Sequence, residues 1–226
     1  MTEVELRNRI ALEAGVLTNP YWQGKRITNK INEAQRWVQQ KLIKQGFKNW
    51  KKYITIDTTS GTVFGIADVY SGTLPADRLI DEPIESVRTN STVEPPATSG
   101  YAKEKPQEKV IEVIQNPVIA PSFIDPIFWL MDETIHVYPV ESGEDAIELA
   151  YTKVVTDLVY NNDSTQSEIP NSHIEIVIER CVMQIKSSNG EENVKQAKLN
   201  EIDKQISVKY QLDRAVSVTD QKGHTD

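Results

Sequence analysis

The chain has 226 residues, 38% hydrophobic and 26% charged, enough apolar material for a buried core and too much for wholesale disorder. No run approaches the roughly 18–20 consecutive apolar residues of a membrane span, and Met1-Thr2-Glu3-Val4-Glu5 lacks the basic and apolar regions of a signal peptide. A single cysteine, Cys181, excludes an intramolecular disulfide, so the expectation is a protein that folds without oxidation inside the cell that makes it.

The net charge of −8 is spread unevenly. Residues 1–52 carry 11 Lys/Arg against 4 Asp/Glu, residues 53–170 carry 6 against 20, and residues 171–226 carry 8 against 9. Phosphate neutralisation supplies most nucleic-acid affinity, so an acidic chain is a poor DNA wrapper. A basic end beside an acidic middle suits copies that dock side by side, although a solvated face on each part leaves the same count.

Thr2 and Glu5 form an S/T-x-x-E capping box ahead of Leu6, Ile10 and Ala14 at helical spacing, and Gly15 ends this short helix. Asn19-Pro20 marks a turn. A longer helix begins near residues 24–28, with Ile27, Ile31, Ala34, Val38 and Leu42 as its apolar stripe and Trp37 beside it. Lys30, Arg36, Lys41 and Lys44 occupy the other face, and Gly46 is the stop. Trp22, Trp37 and Trp50 read as core packing, with an interface aromatic as the alternative.

From Tyr53 the period changes to two. Ile54 and Ile56 define a strand that runs into a turn at Thr59-Ser60-Gly61, and short strands are expected at 63–66, 79–80, 84–87 and 110–114. The clearest hairpin pairs residues 127–131 with 134–138 across Asp132-Glu133, and Ile147, Leu149 and Tyr151 line a further strand. Frequent prolines cut this region into short pieces, as in a small antiparallel sandwich or open barrel. Residues 88–109 are polar and aperiodic, and predict a mobile or projecting loop.

Helical signals return at Pro170, with Ser172 and Glu175 as a second capping box and Ile174, Val177, Ile178, Cys181, Val182 and Ile185 as an apolar face. Asn189-Gly190 ends that helix, and a second one over residues 191–212 completes an αα-hairpin. The fold class is therefore α+β. Helices of segments 1–52 and 161–212 form one helical domain, residues 53–160 are an inserted β sandwich or barrel-like domain, and 213–226 are a flexible or extended arm.

The chemistry expected of an enzyme is missing from the pattern. His136, His173 and His224 have no ligand-spaced partner, no Gly-rich phosphate loop or nucleophile elbow occurs, and Cys181 falls on an apolar helix face. The acidic pairs Asp81-Glu82, Asp132-Glu133 and Glu144-Asp145 sit at turns, where carboxylates serve local hydrogen bonds. The expectation is a non-enzyme without metal or cofactor, and an enzyme would need a site assembled from distant residues. Direct DNA binding rests on the basic helix alone, whose charges spread around its circumference.

The order helix, helix, short-stranded insert, αα-hairpin, tail resembles the head-to-tail connector adaptors of short-tailed bacteriophages. The likeness lies in residues 3–45, with Glu3-Val4-Glu5-Leu6 and Asn32-Glu33-Ala34; in residues 127–139, ending Thr134-Ile135-His136-Val137-Tyr138-Pro139; in residues 147–160; and in Ile169-Pro170-Asn171-Ser172-His173. The resemblance implies a virion structural protein, made in the host cytoplasm and assembled without a membrane into a twelve-fold homo-oligomeric ring. Such a ring sits on the portal, passes DNA without reading it and joins a nozzle or later tail ring. It would place portal contacts on the C-terminal arm, here Arg214, Val216 and Val218. A closed ring needs two different complementary surfaces; Lys30, Arg36, Lys41 and Lys44 offer one, and Asp81, Glu82, Glu144 and Asp145 the other. The rivals are a stopper or tail-ring subunit lower in the stack, and a ligand- or carbohydrate-binding β module.

Overall fold

Helix α1 (Glu3–Glu13) begins at the capping box seen in the sequence: the Thr2 hydroxyl accepts from the Glu5 N–H and the Glu5 carboxylate accepts from the Thr2 N–H. The computed structural model describes residues 1–22, 24–89, 101–140 and 146–188, together with Glu201 and Lys204. Two units emerge, Met1–Asn49 with the chain from Val155 onward, and Trp50–Val154.

In the first unit α1, α2 (Lys25–Lys44) and α4 (Ile174–Ser188) pack pairwise on one another. α1 and α2 stop by the same device. Gly15 at φ 69 lets the Val16 N–H return to the Ala11 carbonyl at 2.9 Å, and Gly46 at φ 92 lets the Phe47 N–H return to Leu42 at 3.0 Å. Both are Schellman ends, in which glycine takes the left-handed position without a Cβ penalty. The stripe Ile27, Ile31, Ala34, Val38 and Leu42 is fully buried, and so is the α4 face of Ile174, Val177, Ile178, Cys181 and Ile185. Each large member contributes about 1.5–3 kcal/mol. The Cys181 thiol reaches the Lys30 carbonyl at 3.3 Å, and burial pushes its pKa up, so it is a small core residue. The expected second helix of the αα-hairpin lies outside the described residues except for Glu201 and Lys204, both helical, and the arm from Arg214 lies wholly outside them.

The second unit is an eight-stranded sheet that curls into a half-barrel. Its strands are β1 (Lys51–Asp57), β2 (Thr59–Val63), β3 (Ile66–Thr73), β4 (Ser86–Thr89), β5 (Tyr101–Glu104), β6 (Ile127–Met131), β7 (Thr134–Tyr138) and β8 (Ala146–Thr152), in the order β1-β8-β4-β5-β6-β7-β3-β2. All neighbours are antiparallel except β5 and β6, so the expected antiparallel sheet is mixed. Parallel neighbours need a crossover connection, and here it carries the short helix α3 (Val110–Gln115). The strand expected at 110–114 is therefore a helix. Its β-branched residues imitate a strand, but Val110 and Val113, three apart, pack on Val69, Ile127 and Trp129.

The β6–β7 hairpin forms as read, with Asp132 at φ 53 in its turn. Its opposite face puts Phe128, Ile135 and Val137 against Tyr70, Val87, Leu149 and Tyr151. Three other expectations fail. Thr59-Ser60-Gly61 is strand, and the turn falls at Phe64-Gly65, both at positive φ as a two-residue hairpin loop prefers. Residues 79–80 form no strand; the Leu79 N–H instead ties an irregular segment to the Thr152 carbonyl at 2.9 Å. The loop expected at 88–109 contains the end of β4 and all of β5, while 90–100 lie outside the described residues.

Candidate assembly surfaces

Within the first unit, the chain that follows the sheet runs from Val155 to Ile169 without regular structure and is held by side chains of α2. Thr28, Asn32, Gln35 and Gln39 form a buried polar row beside the apolar stripe. The Asn32 amide acts like a strand edge: its oxygen accepts the Leu158 N–H at 2.9 Å, and its nitrogen donates to the Leu158 carbonyl at 3.1 Å. Gln39 accepts the Val155 N–H at 3.1 Å, and Gln35 accepts the Ser167 hydroxyl at 2.6 Å. Buried Glu3 accepts from the Thr28 hydroxyl at 2.6 Å and from the Asn161 N–H at 3.2 Å. The bonds to Val155, Leu158 and Asn161 satisfy backbone groups that lack a ladder. Arg9 of α1 adds a bidentate pair with Glu175 of α4 (2.7 and 2.5 Å) and a bond to Glu13, which raise its pKa.

The basic residues expected to dock are largely engaged inside their own unit. Lys30 pairs with Glu33 at 2.7 Å and Arg36 with Asp157 at 2.5 Å. Lys41 lies 5.2 Å from the centre of the Trp37 ring, where Arg180 stacks at 3.8 Å. Lys44 is exposed in the last turn of α2. The four share one helix but no common cluster, and they leave less free charge than the count suggested. On the acidic side Asp81 is exposed and Glu82 half-buried, its carbonyl accepting from Arg78. Glu144, Asp145, Arg214, Val216 and Val218 lie outside the described residues.

Two apolar surfaces escaped the sequence reading. Leu12, Leu17 and Tyr21 project from the α1–α2 corner, and Val118, Ile119, Phe123 and Ile124 project from the loop before β6. The second was legible as Pro117-Val118-Ile119-Ala120-Pro121-Ser122-Phe123-Ile124, an apolar run with prolines that suit neither strand nor helix.

Two titratable groups are tied into the sheet unit. Buried His136 stacks on Trp129 (5.4 Å, 21°) with Nδ1 2.7 Å from the Ser71 hydroxyl, and burial lowers its pKa. Asp77 accepts from the Tyr151 hydroxyl at 2.6 Å and from Lys52 at 2.9 Å; burial opposes ionisation, yet these partners bring its pKa below the ordinary value. Among the described residues no group of three His, Cys, Asp or Glu side chains could hold a metal, and no helix is long and apolar enough to cross a membrane.

Helices from both ends of the chain form one unit, and the residues between them form a curled sheet with exposed apolar side chains. The SU10 adaptor protein family model matches residues 1–221, and the chain belongs to that family. It is a phage structural adaptor family, consistent with the head-to-tail connector resemblance and implying a virion component. No curated protein matches the sequence.

Proposed function

We propose that the chain is a ring subunit of a phage head-to-tail connector, twelve-fold like the portal it attaches to, extending the DNA channel toward the next tail component. The observation that carries this reading is the family match over residues 1–221. The charge asymmetry supports it, because a closed ring needs two unlike surfaces and residues 1–52 and 53–170 differ strongly in sign. An acidic channel wall would let DNA slide without sticking. On this reading the protein is structural, not catalytic, and the arm with Arg214, Val216 and Val218 contacts the portal. Native mass measurement of the chain mixed with portal rings tests it. Twelve copies per portal are expected, with binding lost when residues 214–226 are deleted. A chain that ignores the portal but binds a later tail ring would make it a lower stopper or tail-ring subunit.

A further inference from the structure

The loop between α3 and β6 is built to hold apolar side chains in solvent. Val118 is 88% exposed and Ile124 67%, yet the backbone beneath them is tied down. The Asn116 side chain accepts the Val118 N–H at 3.0 Å, Ser122 and Asp125 exchange backbone bonds at 3.0 and 3.2 Å, and Lys103 holds Asp125 at 2.8 Å. Pro117, Pro121 and Pro126 restrict the rest. A pre-ordered loop loses little entropy on docking. Val118, Ile119, Phe123 and Ile124 are all exposed within seven residues, and grouped exposed apolar side chains mark interaction sites where single scattered ones do not.

Resting on the ring reading, we infer that this loop docks on the α1–α2 corner of the neighbouring copy, around Leu12, Leu17 and Tyr21. The corner is the apolar counterpart on the other unit, with Leu12 68% and Leu17 61% exposed. The charges agree. Arg26 lies 3.9 Å over Tyr21 and exposed Lys25 follows, within the basic residues 1–52. Exposed Glu108 and Glu112 precede the loop with exposed Lys109 between them, and residues 53–170 as a whole carry 20 Asp/Glu against 6 Lys/Arg. A head-to-tail contact needs two different patches, and every copy carries both. The loop itself carries no Lys or Arg between Asn116 and Pro126, which argues against a nucleic-acid partner.

The test uses full-length chains. Leu17→Cys and Val118→Cys variants, each at an exposed position, are mixed at high concentration under mild oxidation; buried Cys181 stays out of the reaction. The expected result is a disulfide between unlike chains and none within either variant alone. A Val118–Val118 link, or no link in the mixture, overturns the inference. In parallel, the double variants Val118→Ser/Ile124→Ser and Leu12→Ser/Leu17→Ser are loaded on portal rings. Single copies should bind as wild type does, while complete rings should need at least roughly tenfold more protein, as loss of interface anchors predicts. Rings completing at wild-type concentration, or loss of single-copy binding, would assign the loop elsewhere. Failure of the wild type to load would sink the adaptor reading instead, and the portal-free cross-link still decides this inference.

Discussion

The two units solve the same problem, satisfying the backbone, in opposite ways. The sheet pairs main chain with main chain and covers its central hairpin with apolar side chains on both faces. The helical unit instead has a stretch from Val155 to Ile169 with no regular structure, in which amides projecting from α2 bond the Val155 N–H and both backbone groups of Leu158. The difference teaches where each is fragile. Cavities weaken both cores, and the helical unit is weakened in addition by the loss of single polar atoms.

Trp129→Ala should cost the most, about 3–5 kcal/mol, because it empties a fully buried site under α3; urea unfolding measures it. Asn32→Ala should follow at about 2–4 kcal/mol, since it leaves the N–H and carbonyl of Leu158 unpaired, each in the lower half of the range of about 1–3 kcal/mol for such a group. Hydrogen exchange should then show the Leu158 amide losing protection. A cost near that of a surface substitution would end the contrast between the units. Arg9→Ala should cost about 1 kcal/mol or less, because the pair with Glu175 is more than a third exposed and screened, and the loss should shrink in high salt. The smallest effect is one of pH. The folded pKa of His136 is lowered by burial, so the unfolded chain takes up its proton first as pH falls. Stability should be full above about pH 6.5 and decline below it, with a shallower decline in His136→Gln.

Much of this was legible because the signals were local. Thr2 with Glu5, Gly15, Gly46 and the 3.6-residue stripe of α2 each fix a conformation within a turn of helix, and the structure follows them. The β6–β7 hairpin was equally plain. What failed depended on distant partners. Val110–Ile114 has β-branched residues, and its packing on Val69, Ile127 and Trp129 is not visible in the local pattern. The buried row Thr28, Asn32, Gln35 and Gln39 was written at helical spacing, but its meaning came from a segment more than a hundred residues later. The same distance hid the engagement of Arg36 with Asp157, which made a surface charge seem free.

That separation has a consequence for synthesis. Residues 50–154 stand between α2 and the segment it clamps. At about 5–20 residues per second, α2 emerges some seconds before Val155 exists to receive its amides. A helix apolar over that whole side would spend the interval exposing a broad adhesive surface beside other nascent chains. The polar row narrows that surface while the sheet is being made, then becomes the fastening that closes the helical unit when the chain returns.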